Sequence, residues 1–483
     1  MDDRQKKYSK ASPPRCAQEK VIGLDLSFQG LRCVNSLINC LSNIRELLLN
    51  NNEIETLPRD LYRLKSLEKL NLAHNKIRSI PPELGRCVTL KELYLNDNFI
   101  SSVPMELGTL YALDVFVITN NPLVVPFNSL SKDKSLINFC RENNTAYPPP
   151  NDRNWVDTVF RKDFQEESLT VGTWNILSNF YAAKCTYAPS WVINAELRKE
   201  NILNNLLTYD LDILALQEIE THSYTEFYKE KLAEKLIYDS SFIPRGRSAT
   251  VADKRTVDGC AIFWKKNKFR LIEEITLDFS QKLINDHRFS SNEDIFNRNS
   301  RKDNIAMLLI LEKTDGCYLI VVNTHIFWDP EYPDVKLFQT ILLIEEIEKA
   351  KQKYKQAQII LLGDFNSLRG SSVYKLITER KTDGADFELY DYSPFSSGVK
   401  HSIRLLDTYL GQDLGFTNYT PMFKETIDYI FYSEGLTLTG VMSPIEDEYT
   451  VKCIGLPSIH FPSDHILIGA RFCLKNNSKQ QSP

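Results

Sequence analysis

Ile359-Ile360-Leu361-Leu362-Gly363-Asp364-Phe365-Asn366 is the stretch on which the fold of this chain turns. The apolar run 359–362 reads as a buried strand, and Gly363 breaks it. Asp364 and Asn366 lie two residues apart, so in extended backbone they point to the same side. A hard carboxylate oxygen beside a neutral amide suits a site that holds Mg²⁺ and phosphate oxygens together.

Outward from this stretch, residues 167–474 alternate short apolar runs with helical patterns. The runs are 169–174, 213–216, 260–264, 305–311, 318–323, 359–362, 427–432 and 466–472; helical periodicity lies in 195–209, 223–236 and 334–355. About 300 residues of such alternation predict one large α/β domain. Residues 281–300 are polar and lack period, which predicts an exposed insertion, and 475–483 reads as a disordered tail.

Polar residues gather where these runs end. Asn175 follows the first run and either offers an amide oxygen to phosphate or metal or simply makes a turn. Gln217-Glu218 follows 213–216. A carboxylate there needs a cation or a donor to offset its desolvation, which favours a direct Mg²⁺ ligand over a surface salt bridge. Asn323-Thr324-His325 closes another run, where His325 can donate to a phosphate oxygen and stabilise developing charge. Trp328-Asp329-Pro330 follows closely, its proline ring suited to wall a base pocket. Asp428 sits inside the run 427–432, and Ser463-Asp464-His465 opens the last strand. Asp and His so placed form an acid–imidazole pair that fixes the tautomer and raises imidazole basicity.

The first half is a repeat array. L-x-x-L-x-L-x-x-N-x-I-x-x-L-P recurs with its asparagines at Asn52, Asn75, Asn98 and Asn121, and Leu24, Leu26 and Gln29 fit one register earlier. This is the leucine-rich-repeat period, one short strand per repeat with the asparagine bonding backbone at the turn. The variable strand positions are Arg45, Glu46, Glu68, Lys69, Lys91, Glu92, Asp114 and Val115, a solvated charged face or a protein-docking surface. Asn121-Pro122-Leu123 and Leu136-Ile137-Asn138-Phe139 predict a closing helix. The expected division is a disordered 1–20, a docking solenoid 21–145, a stiff Pro-rich linker 146–166 and a catalytic domain 167–474.

With 42% hydrophobic and 25% charged residues, the 483-residue chain has globular composition. No apolar run reaches the roughly 18 residues of a membrane span, and the N-terminus has no apolar signal core. Ten cysteines are scattered singly. That predicts reduced thiols in the cytosol, with the nucleus a second compartment, and argues against a zinc site. Residues 1–150 hold 19 Lys+Arg against 16 Asp+Glu; the remainder holds 39 against 47, a net of −8. A metal-binding domain gathers carboxylates, so acidity permits a phosphodiester substrate but disfavours tight nonspecific duplex binding.

Asn175, Glu218, Asn323-Thr324-His325, Gly363-Asp364-Phe365-Asn366, Asp428 and Ser463-Asp464-His465 together resemble, in order, the exonuclease–endonuclease–phosphatase superfamily. That likeness implies a two-sheet α/β sandwich with its active site along one edge, behind the N-terminal leucine-rich-repeat solenoid. The longer stretches Pro189-Ser190-Trp191, 257–263, 302–305, 328–332, 416–420 and 427–433 are similar to the deadenylase branch. With the repeats ahead, the chain resembles the carbon catabolite repressor protein four family, the poly(A) nucleases of the Not complex. The stretch between Asp383 and Phe416 is short for that branch, and the N-terminus lacks the long glutamine-rich extension of fungal members.

The resemblance implies a Mg²⁺-dependent 3′-to-5′ exoribonuclease using one or two ions. Glu218 would be the principal ligand, helped by Asp364, Asn366 and Asp464. Asp364, Asn366, Asp464 and His465 would surround the attacking water and phosphate, with Asp428 orienting His465. Asn175 and His325 would contact phosphate, and Pro330, Asn366 and Phe423 would hold the terminal adenine. The implied partners are poly(A) RNA, a Caf-one-type deadenylase subunit bound by the repeats, and the Not scaffold, with no membrane. Fold alone leaves open a DNA repair nuclease, a nucleotide phosphatase or a lipid phosphodiesterase, or a mainly scaffolding role.

Overall fold

The computed structural model describes residues 22–34, 43–130, 135–145, 149–158, 168–290, 292–383, 395–412, 414–451 and 453–474. The chain divides into two compact units, residues 1–145 and 146–483. The segments expected to be disordered, 1–20 and 475–483, lie outside the described residues.

In the first unit β1 (Ile22–Asp25), β2 (Ile44–Leu48), β3 (Lys69–Asn71), β4 (Glu92–Tyr94) and β5 (Val115–Val117) form one parallel sheet in sequence order. Each repeat asparagine ties its turn to the repeat before it. Asn75 Nδ2 donates to the carbonyls of Leu49, Leu72 and Ala73, and its Oδ1 accepts from Ile54 N–H at 3.0 Å. Leu47, Leu70 and Leu93 stack behind the strands with no exposure. Strand-face charges pair across rungs, Lys69 with Glu92 at 3.0 Å and Lys91 with Glu68 at 2.8 Å. The expected closing helix, α1 (Ser135–Glu142), packs Leu136, Ile137 and Cys140 onto the last repeat's core.

The second unit is two sheets face to face. One has the order β6 (Trp155–Asp157), β19 (Leu436–Met442), β20 (Ile468–Leu474), β7 (Leu169–Asn175), β8 (Ile213–Glu220), β10 (Asp258–Lys265), β9 (Tyr238–Pro244). The other runs β11 (Phe269–Asp278), β12 (Ile305–Lys313), β13 (Tyr318–His325), β14 (Gln358–Asp364), β18 (Asp428–Ser433), β15 (Leu405–Asp407), and a separate antiparallel pair is formed by β16 (Asn418–Thr420) and β17 (Phe423–Glu425). The apolar runs are continuous because both faces of each strand are buried. Ile213, Ala215, Ile262, Leu319, Val321, Ile360 and Leu362 fill the space between the sheets. Their neighbours Leu214 and Leu216 face α2 (Ala195–Tyr209), while Ile320, Val322, Ile359 and Leu361 face α4 (Pro333–Lys353); α3 (Lys229–Leu236) adds to the former layer.

Two expectations are corrected. Residues 281–300 are not an exposed insertion. They fall in three short helices, Phe279–Ile284, His287–Ser290 and Glu293–Asn299, whose Leu283, Phe289 and Ile295 are buried beside α4. Each helix buries only one or two apolar residues, too few to register a period, and its polar residues serve as caps: Asp278 accepts from Gln281 N–H and Asn292 from Ile295 N–H. Nor is 146–166 linker throughout. Trp155–Asp157 pairs with β19, and the Arg153 guanidinium is bound to the carbonyls of Ser443 and Leu467.

Candidate active site

Strand alternation places the site. Residues 319, 321, 323 and 325 of β13 share the face between the sheets, as do 360, 362 and 364 of β14 and 171, 173 and 175 of β7. Leu319, Val321, Ile360, Leu362 and Val171 are core there. Asn323, His325, Asp364 and Asn175 continue the same rows where the sandwich opens. The pairings Asn175↔Gln217, His325↔Asp364 and Asp364↔Asp428 bring the ends of β7, β8, β13 and β14 and the start of β18 to one edge. Asn323 locks that edge, donating to Leu216 and Ala261 carbonyls of the facing sheet and accepting from Gln217 Nε2 at 2.7 Å.

Two backbone departures aim the carboxylates. By alternation Glu218 would face away from the site with Leu214 and Leu216. Instead β8 continues past the expected end, and the register slips so that Gly259 pairs with Ile219 and Cys260 with Gln217. Glu218 is the extra residue of this β-bulge, with φ 58°. The bulge turns its side chain to the cleft, where Oε1 lies 3.1 Å from Asn175 Nδ2 and Oε2 accepts from Ser178 N–H at 2.9 Å. At Gly363, φ is 145° and a Cβ would stand 2.1 Å from the Thr324 carbonyl oxygen. Glycine alone lets β14 press against β13 there and set Asp364 beside His325.

Asp364 is the hub. Its Oδ1 accepts from Asn366 N–H at 2.9 Å and its Oδ2 from Asn175 Nδ2 at 3.0 Å. His325 Nε2 and His465 Nε2 stand 3.4 and 3.7 Å from that Oδ2. The imidazoles have opposite characters. His465 Nδ1 lies 2.8 Å from Asp428 Oδ2. Burial disfavours its charge, but Asp428, Asp364 and Asp464 together hold its pKa well above the usual imidazole value. His325 Nδ1 meets Arg245 Nη2 at 2.8 Å. A guanidinium only donates, so Nδ1 is the acceptor and the network assigns the proton to Nε2. Burial, then Arg245, His465 and Arg247, hold the His325 pKa well below the usual value. Arg245 is anchored by Asp258 at 2.7 Å, and Arg247 spans Asp258 and Asp303.

A cleft of about 860 Å³ opens over this edge. Glu218, His325, Pro330, Asp364, Asn366, Phe423, Asp464 and His465 all line it, so eight of the ten anticipated side chains converge. Asp428 stands behind His465. Asn175 lies beside the cleft: its oxygen accepts from Leu177 N–H at 3.0 Å and its nitrogen serves both carboxylates, so the amide spaces Glu218 from Asp364. Sequence reasoning passed over Arg245, Arg247 and Lys336, and it quoted the stretches holding Asp258, Asp303 and Asn418 without giving these residues a role. Lys336 donates to the Asn366 carbonyl at 2.7 Å, and Asn418 Nδ2 to Asp464 Oδ2 at 3.2 Å. The available signal was charge inside buried stretches, such as Asp258 at the head of 260–264 and Lys336 between Val335 and Leu337.

The donor set fits a divalent cation. Glu218 and Asp364 are buried acids sharing one neutral amide. Burial, with Asp258 and Asp464 nearby, pushes the Glu218 pKa up to about 6; burial, with Asp428, pushes Asp364 up to about 7. A hard cation between them would relieve that crowding. Asp364, Asp428 and His465 also bring ligand atoms within 4.8 Å of one another. Asp428 stands behind His465, whereas Glu218, Asp364 and Asp464 line the cleft, which makes these three the better ligands. Asn366 Nδ2 donates to the Ile326 carbonyl, which leaves its amide oxygen for the cleft.

Residues 172–465 match the endonuclease/exonuclease/phosphatase family and residues 66–87 a leucine-rich repeat. The chain is 52% identical over 471 residues to a probable CCR4-Not complex 3′-5′-exoribonuclease subunit Ccr4 of Vairimorpha ceranae, covering 97% of this chain and 98% of the relative. It is 53% identical over 368 residues to the protein of the same name in Encephalitozoon cuniculi, covering 76% and 75%. The CCR4-Not complex 3′-5′-exoribonuclease subunit Ccr4 of Aspergillus niger is 40% identical over 493 residues, covering 94% and 75%. Among solved structures, ANGEL2, a 2′,3′-cyclic phosphatase, in complex with adenosine-2′,3′-vanadate superposes with TM-score 0.56 at 25% identity, over 67% of this chain and 99% of that one.

Proposed function

The chain belongs to the endonuclease/exonuclease/phosphatase family, and from that premise we propose that it is a 3′-to-5′ exoribonuclease removing adenylates from mRNA tails as a subunit of a Not-type complex. One observation carries the reading. Two imidazoles, whose surroundings shift them in opposite directions, converge with two crowded carboxylates in a cleft lined by Phe423, Pro330 and Trp328. Relatives across nearly the whole chain are named for exoribonuclease activity. The fold neighbour named a cyclic phosphatase warns that the fold by itself does not choose a substrate.

Pro330, Asn366 and Phe423 hold the terminal adenine, placing its 5′-phosphate at the strand ends. Glu218 and Asp364, with Asp464 and Asn366 near, would hold a divalent cation such as Mg²⁺, which would neutralise phosphate charge as a Lewis acid. Asp464, half-buried on the cleft, takes the proton of the attacking water. The water oxygen bonds to phosphorus as the bond to the 3′-oxygen of the preceding nucleotide breaks. Products are 5′-AMP and an RNA one residue shorter. His325 Nε2–H and His465 Nε2–H donate to the non-bridging oxygens as charge builds.

The repeat unit supplies docking to a Caf-one-type nuclease subunit through the strand face bearing Lys69, Lys91, Glu68 and Glu92. The chain works in the cytosol with a share in the nucleus, a reading supported by its scattered single cysteines. To test the activity, incubate the protein with Mg²⁺ and 5′-labelled RNA ending in A or U, with DNA as control. Stepwise loss of 3′ adenylates is expected; equal cutting of DNA or internal cuts would overturn it. Removing residues 1–145 should abolish co-purification of the second nuclease subunit.

A further inference from the structure

We propose that Trp328 is the stacking face for the base of the penultimate nucleotide, the one whose 3′-oxygen leaves. The inference rests on the reading of the substrate as a single-stranded RNA 3′ end. Trp328 is 63% exposed yet lines the catalytic cleft. Leaving the largest apolar side chain in water forfeits its burial, so its place in a cleft calls for an occupant with a flat face.

The loop that carries Trp328 is stiff. Ile326 N–H donates to the Asp364 carbonyl at 2.9 Å, and Phe327 N–H to Gln339 Oε1 at 2.9 Å. Beyond the indole, Asp329 closes a turn, accepting from Glu331 N–H through Oδ1 and from Tyr332 N–H through its carbonyl. Phe327 sits 6.2 Å from the indole, edge-on to Tyr332 at 5.6 Å, and Lys302 Nζ caps Phe327 and Tyr332 at 4.1 and 4.3 Å. The bracket is therefore satisfied within itself, while the indole's recorded ring contact is with Phe327 alone among the described residues. The backbone on both sides of the indole is thereby fixed, which lowers the ordering cost of stacking on it.

Position and charge name the occupant. Trp328 lies three residues beyond His325, within roughly 10 Å of it along the chain. It therefore stands one step from the phosphate site, whereas the terminal base belongs to Pro330, Asn366 and Phe423. Residues 151–483 carry a net charge of −8, so the RNA backbone gains little from electrostatic attraction. Stacking adds affinity beyond the phosphate and terminal-base contacts, and it accepts any base because every base has a π-face. The penultimate position should thus tolerate base identity while requiring that a base be present.

The test is a cycle between protein and substrate. The full chain and its Trp328→Ala and Trp328→Phe variants are assayed with Mg²⁺ on A-ended RNA, intact or with the penultimate base removed to leave ribose. For the unaltered protein, losing that base should raise KM about tenfold with kcat little changed. Trp328→Ala should raise KM similarly on intact RNA and then be nearly indifferent to the missing base, and Trp328→Phe should recover part of the loss. Effects that multiply independently, or an unchanged KM in Trp328→Ala, overturn the inference. Quenching of tryptophan fluorescence by oligo(A), lost in Trp328→Phe, reads stacking without turnover; its absence from a bound complex also overturns it. Failure of the unaltered protein to shorten A-ended RNA would instead overturn the proposed function.

Discussion

His465 Nδ1 stands 2.8 Å from Asp428 Oδ2, with both side chains almost wholly buried. The contact orients the ring so that Nε2 faces the cleft, and it stabilises the imidazolium. Asp428→Asn keeps the shape and removes the charge. It should lower kcat by about 10²–10⁴-fold, the usual range for a disabled acid–base group, with KM little changed. Single-turnover assays beside a melting curve check this; a near-normal kcat in a folded variant would show that His465 needs no acid partner.

Glu218 couples strain to function. A non-glycine residue at φ 58° costs about 1–3 kcal/mol, and this one is also a buried acid beside other acids. Glu218→Gly should raise thermal stability in metal-free buffer while abolishing hydrolysis, and Glu218→Gln should abolish it without relieving the backbone. Calorimetry and an RNA ladder read the two effects. A destabilised Glu218→Gly would mean that the bonds to Asn175 and Ser178 outweigh the strain.

Much of this edge was legible in the sequence because strand alternation and short motifs are local. Asp364, Asn366, His325, Asp464 and His465 each sit beside an apolar run whose burial could be read directly. Glu218 was found for a partly wrong reason: the strand does not end before it, and a bulge visible only in cross-strand register turns it inward. Arg245 was invisible because its meaning comes from His325, 80 residues away, and from Asp258 on the neighbouring strand. The helices of 279–299 hid because each buries so few apolar residues.

The raised carboxyl pKa values set a pH dependence with a definite sign. Asp364 titrates near 7, above the carboxyl value of an unfolded chain, and His465 is raised above its imidazole value. Both groups bind more protons in the folded state: the stability contributed by the Asp364 proton is lost as pH rises from 3.8 to about 7, and that of His465 begins to be lost above 6.5. Metal binding runs the other way, because a cation must displace the protons of Glu218 and Asp364. Metal-free protein should melt lower at pH 8 than at pH 6.5, and Mg²⁺ should bind more tightly at pH 8, with proton release on binding near pH 6.5. Calorimetric titration in two buffers of different ionisation enthalpy measures that release; pH-independent affinity across this range would remove Glu218 and Asp364 as ligands.

Gly363 offers the sharpest structural test. A methyl at that position meets the Thr324 carbonyl oxygen at 2.1 Å, and neither atom sits on a flexible side chain that can step aside. Relief requires β13 and β14 to part, which would separate His325 from Asp364 and loosen Leu361 and Leu362 in the two cores they fill. The φ of 145° adds strain for any L side chain. Gly363→Ala should therefore cost at least about 3 kcal/mol, at the upper end of single substitutions. Asp364→Asn, by contrast, removes a buried charge and should leave stability equal or higher while hydrolysis is lost. Denaturant melts of the two variants separate the readings. If Gly363→Ala melts normally but is inactive, the glycine serves access to the phosphate and strand packing is secondary; if it melts normally and stays active, the close approach of β13 and β14 is not required by either fold or site.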